Sequence, residues 1–148
     1  RDRLQVHFIG GMQTNKVRRV ASVVAVWQTV DRQSLVDEIA KRAPAASVMI
    51  QINLTNSETQ GGCQISEAGG IVAMARSKGL KVVGVMGIGP QGDDQMIRAA
   101  YRSLVLFADD NALPHRSIGM TNDLEIAIES GSTMVRIGTA LFGERPAR

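Results

Sequence analysis

A threonine directly after a glycine, at the point where a helix begins, suits one chemistry above others: holding an anion. That pair, Gly138-Thr139, sits in the run Ser132-Thr133-Met134-Val135-Arg136-Ile137-Gly138-Thr139-Ala140-Leu141-Phe142-Gly143 near the end of the chain. Gly138 lets the backbone come close to a ligand. Thr139 offers a hydroxyl and an N–H where a helix start favours negative charge. Arg136 stands among apolar residues and, in a regular strand, faces away from Val135 and Ile137. A buried guanidinium needs an acceptor, because an unpaired buried charge is costly. The pattern leaves two choices, a structural carboxylate or a ligand.

A second loop carries the same kind of residues, Gly119-Met120-Thr121-Asn122-Asp123. Thr121 can donate to the same anion, while Asn122 or Thr121 can cap the following helix. Plain capping explains each loop taken alone, and two loops converging on one rim favour the anion. His7 falls in an apolar run on the same face as Ile9, either as a satisfied core histidine or as pocket lining. His115 follows Pro114 and reads as a solvated loop residue. Met86 and Met120 fall near strand ends, where methionine fills core or lines a pocket. Two histidines and one cysteine supply no zinc-ligand spacing, and no G-x-S-x-G elbow is present.

These residues have to be placed by something, and the hydrophobic periodicity shows what. Strands are expected over Gln5–Ile9, Ala25–Val30, Ser47–Asn53, Lys81–Gly87, Arg116–Ile118 and Thr133–Ile137. Between them fall helices over about 13–22, a stretch capped by Asp31, a helix capped by Ser66 and running to Lys78, one over 93–108, and one from near Asn122 to Gly131. A short terminal helix follows over Gly138–Phe142. Strictly alternating strands and helices imply parallel pairing with right-handed crossovers. Gly10-Gly11-Met12-Gln13-Thr14-Asn15 lacks the G-x-G-x-x-G fingerprint of a dinucleotide fold. The last two loops match the phosphate corner of a barrel, built after the final strands and at a short extra helix. The expected fold is therefore an α/β barrel of the (β/α)8 type, with about six C-terminal β/α units present, as one domain over residues 1–148.

Composition agrees with a folded domain: 148 residues, 44% hydrophobic and 21% charged, which excludes wholesale disorder. No apolar run reaches the ~18 residues of a membrane span. A net charge of +3, with scattered basic residues and only 3% aromatics, argues against a nucleic-acid face. The single Cys63 makes no internal disulfide, so a cytoplasmic setting is expected. The chain opens on Arg1 without a methionine, which suggests that the natural start lies upstream.

Taken together, His7-Phe8-Ile9-Gly10, Gln13-Thr14-Asn15-Lys16 and Gln51-Ile52-Asn53 resemble the YggS/PROSC family of pyridoxal phosphate homeostasis proteins. So do Gly119-Met120-Thr121, Asp123, Glu125, Gly131-Ser132-Thr133 and Val135-Arg136-Ile137-Gly138-Thr139 through Phe142-Gly143. The resemblance implies a single barrel like the N-terminal domain of alanine racemase, holding pyridoxal 5′-phosphate (PLP). It implies that Thr121, Gly138 and Thr139 bind the phosphate and that Arg136 faces the pyridine nitrogen. Ser117, Met120, Asn53, Met86 and His7 are implied as further pocket lining. It assigns no firm catalytic reaction. The implied role is that of a carrier or regulator of PLP rather than an enzyme.

Three departures from the family pattern bear on this. The family's Schiff-base lysine lies near the end of the first barrel strand, and none of Lys16, Lys41, Lys78 and Lys81 matches it. The first strand here corresponds to the third of the barrel, so two β/α units are expected to be missing through N-terminal truncation. Gln60, in the loop Asn56 to Gly62, and Thr121 stand where relatives usually carry lysine and serine. One alternative is a PLP-dependent amino-acid racemase-like isomerase. Against it, the chain stops soon after the last unit, without a second domain to supply a catalytic base. The other alternative is a truncated remnant without ligand. Uncovered parallel edges would invite pairing, so self-association through them is a further expectation.

Overall fold

The computed structural model describes residues 4–55 and 57–143; of the residues discussed above, Arg1 and Asn56 lie outside them, as do both ends of the 1–148 domain. The elements run β1 (His7–Phe8), α1 (Thr14–Val20), β2 (Val26–Val30), α2 (Gln33–Arg42), β3 (Ser47–Ile52), α3 (Ile65–Ser77), β4 (Lys81–Gly87), α4 (Asp94–Asp110), β5 (His115–Ser117), α5 (Leu124–Glu129) and α6 (Thr139–Phe142). The strands form one parallel sheet in the order β1-β2-β3-β4-β5. Sequential order without a reversal is the wall of a barrel and excludes a doubly wound sheet.

The burial of β3 shows why these residues make that wall. Val48, Met49, Ile50, Gln51 and Ile52 are all buried, so the strand is covered on both faces, as parallel strands usually are. Val48, Ile50 and Ile52 join the cluster packed under the helices, and the alternating Met49 and Gln51 point the other way. The helices answer with apolar stripes: Leu35, Val36 and Ile39 on α2, and Ala68, Ile71, Val72 and Ala75 on α3. Each fully buried aliphatic side chain contributes roughly 1.5–3 kcal/mol. At Gly84 of β4 a Cβ would collide with the His115 backbone, and at Gly87 it would lie 2.7 Å from Leu104 Cδ1. Bare backbone at those two points brings β5 and α4 close to β4.

Four expectations give way. The sixth strand, Thr133–Ile137, does not form as a strand; Met134 makes a single parallel bridge to Ser117. Some backbone bonds persist, from Thr133 N–H and Met134 N–H to the Arg116 carbonyl and from Arg136 N–H to that of Gly119, but side-chain hydroxyls take other ladder partners. Ser132 Oγ donates to the carbonyls of Ile118 (2.8 Å) and Met134 (3.0 Å), and Thr133 Oγ1 accepts from Arg116 N–H at 2.8 Å. The described wall therefore has five strands and one bridged segment instead of six strands.

Asp31 does not cap α2 either. Arg32 is the N-cap, and Asp31 instead accepts from the Arg32 guanidinium at 2.7 Å and from Gly62 N–H at 3.2 Å. Nor does Ser66 cap α3, because Gln64, two residues earlier, is the N-cap and forms a capping box with Glu67. His115, expected in a loop, opens β5 while remaining exposed. Among the described residues no helix is long and apolar enough to cross a membrane.

Candidate functional site

The chain beyond β5 folds back across the strand ends, and a cavity of about 520 Å³ opens beneath it. Its wall brings together His7, Met120, Thr121, Arg136, Gly138 and Thr139, drawn from three segments far apart in sequence. Ser117 is fully buried behind that wall and reaches the site through Arg136. Asn53 and Met86 are not part of the wall. Asn53 instead closes its own loop, donating to the carbonyls of Ser57 (2.8 Å) and Gln60 (3.2 Å) and accepting from Thr55 N–H (2.9 Å). Met86 is buried within the sheet.

Arg136 pairs with no carboxylate among the described residues, so the structural-carboxylate choice is not met. Its guanidinium donates to the Ser117 carbonyl at 2.7 Å, the Ser117 hydroxyl at 3.0 Å and the Gly87 carbonyl at 2.9 Å. Burial pushes the guanidinium below the ordinary arginine value, against the opposing influence of Tyr101 and Asp123. The side chain therefore ties the ends of β4 and β5 while lining the cavity.

The loop carrying Met120 and Thr121 is held from behind. Asp123 accepts from Met120 N–H at 2.7 Å and from the hydroxyl of Tyr101, which is wholly buried on α4. Burial first, and Asp123 second, push the Tyr101 phenol well above its ordinary value, so it stays a donor. At Gly89 a Cβ would lie 2.7 Å from both the Tyr101 and the Asp123 oxygens. Gly119 has φ +98°, and a Cβ there would meet Ala127 Cβ at 2.5 Å. A loop this close to α5 therefore needs glycine. Asp123, rather than Thr121 or Asn122, is the N-cap residue of α5.

At the other rim loop, the Leu141 and Phe142 N–H groups both donate to the Gly138 carbonyl at 2.9 Å. The amides of Thr139 and Ala140 belong to the first turn and have no intrahelical acceptor. With only one turn in α6, local N–H groups and hydroxyls are the donors, and the helix dipole adds little.

Among the wall residues that the sequence reading did not place in the site are Gln28 and Met134. Gln28 is 1% exposed, and its amide nitrogen donates to His7 Nδ1 at 2.8 Å and to Met134 Sδ at 3.1 Å. The signal was present in Ala25-Val26-Trp27-Gln28-Thr29-Val30, where an amide interrupts an apolar strand. None of Lys16, Lys41, Lys78 and Lys81 lines the cavity. Among the described residues no group of three or more His, Cys, Asp or Glu could hold a metal ion.

The family described as alanine racemase, N-terminal domain, matches residues 2–146. A pyridoxal phosphate homeostasis protein of Aquifex aeolicus is 40% identical over 154 residues, covering 96% of this chain and 68% of the relative. The Escherichia coli protein of the same name is 38% identical, covering 96% of this chain and 65% of the relative. The chain thus spans about two thirds of the length of these curated relatives. Among solved structures, an unknown protein from Bifidobacterium adolescentis superposes with a TM-score of 0.87 at 33% identity, over 93% of this chain and 60% of that one. PipY of Synechococcus elongatus with PLP bound gives 0.83 at 23% identity, over 95% and 71%. Alanine racemase of Clostridium difficile gives 0.75 at 14%, over 97% and 41%. The last two show a shared fold: the five parallel strands form part of an alanine-racemase-like barrel.

Proposed function

The chain belongs to the alanine racemase N-terminal-domain family, among the pyridoxal phosphate homeostasis proteins, and from that premise we propose that it binds PLP in the rim cavity as a carrier or regulator without a catalytic reaction of its own. One observation carries the reading. Thr121, Gly138, Thr139 and Arg136 meet at a single cavity whose donors suit a phosphate at one side and a flat, polar ring beside it. When bound, PLP supplies an aldehyde and an electron-accepting ring. The hydroxyls of Thr121 and Thr139 and the first-turn amides of α6 hold the phosphate. Arg136 would meet the ring side of the cofactor and, keeping its protons, would leave that ring a weak electron sink. That suits storage better than carbanion chemistry.

None of Lys16, Lys41, Lys78 and Lys81 lines the cavity, so none of these four is proposed to hold PLP covalently. Borohydride reduction of a PLP-soaked sample followed by peptide mapping should find no stoichiometric adduct on Lys16, Lys41, Lys78 or Lys81. A cytoplasmic setting, proposed on Cys63 alone, and self-association through the edge of β1 belong to the same reading.

The deciding experiment titrates PLP and pyridoxal against the parent, Thr139→Ala and Thr121→Ala. A hydrogen bond to a charged group is worth about 1.5–3 kcal/mol, so losing one hydroxyl should weaken PLP binding roughly 10- to 100-fold. Pyridoxal, lacking the phosphate, should be insensitive to both substitutions. Equal binding of PLP and pyridoxal, or no effect of either substitution, would remove the phosphate site.

A further inference from the structure

The His7–Gln28 pair at the cavity wall is built in a way that packing alone does not explain. His7 is registered against Val26, so Gln28, two residues on, lies on the same face of the sheet. The Gln28 amide nitrogen sits 2.8 Å from His7 Nδ1 and 3.1 Å from Met134 Sδ, while its oxygen is buried without a partner. The opposite amide orientation would give the oxygen a donor only if His7 carried its proton on Nδ1. It would also set oxygen against the thioether sulfur and turn the amide hydrogens away from both acceptors they meet here. The orientation that gives both amide hydrogens a partner therefore has the nitrogen facing His7. Nδ1 is then the accepting nitrogen, and the neutral ring carries its proton on Nε2.

Resting on the cofactor reading above, we propose that Gln28 is a positioning residue that fixes His7 as an Nε2–H donor, and that this donor reads an oxygen acceptor on the ring portion of the bound ligand. The cavity then has two polar ends: an anion corner at Thr121, Gly138 and Thr139, and a single directional donor on β1. The donor distinguishes ligands by what surrounds the ring, which the anion corner does not. The buried, unpaired oxygen of Gln28 is the cost of holding the imidazole in one tautomer and one orientation.

The chain has only two histidines, which makes the test direct. Nitrogen-15 correlation spectra in alkaline buffer, where imidazoles are neutral, report the tautomer of each. His7 should show Nδ1 as the unprotonated nitrogen. Addition of PLP should shift its Nε2 signal, while exposed His115 serves as the unmoved reference and inorganic phosphate leaves His7 unchanged. His7→Phe should weaken PLP about 2- to 10-fold, the worth of one neutral hydrogen bond. Gln28→Leu should weaken it by no more than that, and the double variant should be no weaker than His7→Phe alone. An Nδ1–H tautomer in the parent overturns the proposal without any variant having to fold. PLP binding that depends on Thr139 but leaves His7 unmoved, or additive single effects, also overturns it and leaves the cofactor reading standing. Absence of any Thr139-dependent binding removes both.

Discussion

β3 and β4 are registered from Ser47↔Lys81 through Ile52↔Gly87, whereas β4 and β5 are registered only from Gly84↔His115 through Met86↔Ser117. Past Ser117 the wall continues by one bridge to Met134, held by the side chains of Ser132, Thr133 and Arg136. The two regions are held by different forces. The first rests on apolar burial, which is strong and tolerant of direction. The second rests on hydrogen bonds and close approaches, which are weaker in sum and strict in geometry. The cavity lies against the second region, where the chain's position is specified bond by bond.

If that contrast is right, removing buried volume from the first region should cost much stability and little binding. Ile50→Ala should lower unfolding free energy by about 2–5 kcal/mol in urea titrations, while the folded fraction binds PLP like the parent. Lost affinity at full folding would break the contrast. Gly119→Ala is the converse. Its Cβ meets Ala127 Cβ at 2.5 Å in a left-handed conformation, so about 1–3 kcal/mol of stability should go, together with most PLP binding.

Ser132→Ala sharpens the comparison further. Loss of the bonds to Ile118 and Met134 should cost about 1 kcal/mol in the same titration and still weaken PLP measurably, because Arg136 and Gly138 follow on the freed segment.

The smallest effect at neutral pH concerns Cys63, which burial pushes up to about 12 from 9.0. The folded thiol keeps its proton where the unfolded chain has lost it. Its contribution to stability is therefore whole below about 9 and declines as pH rises toward 12. Thermal midpoints of the parent and Cys63→Ala, followed across that window, should show the parent losing ground relative to the variant. A constant difference would contradict the burial.

The same contrast governs what could be read from the chain. β4 was legible to the residue, from Lys81 to Gly87, because a β-branched run bounded by glycines has one sensible conformation. The segment 133–137 alternates just as well, yet the hydroxyls of Ser132 and Thr133 compete for the backbone partners a strand would use. Periodicity registers side-chain polarity but not that competition. Asp31 was misread for a related reason, since its carboxylate had two better partners, one of them thirty-one residues away at Gly62. The rim residues Thr121, Gly138 and Thr139 were legible because hydroxyls and glycines at loop positions are visible locally, and Arg136 because a charge interrupts an apolar run. Gln28 was missed because its significance lies in His7 on the neighbouring strand, a relation that exists only once the sheet has formed.

β4 and the turn that leaves it set the clearances of the whole rim. At Gly84 the space of a missing side chain is taken by the backbone of β5, at Gly87 by Leu104 of α4, and at Gly89 by Tyr101 and Asp123. Each neighbour is thus gauged against bare main chain: a methyl at Gly84 would press on β5, one at Gly87 on α4, and one at Gly89 on α4 and Asp123. One strand acts as a common ruler for a β-strand, a helix and a loop that are also bonded to one another, the loop to α4 through Asp123 and Tyr101 and β5 to α4 through Arg116 and Asp109. Along β4, substitution by alanine is therefore expected to cost most at Gly84 and Gly87, the positions that carry no side chain.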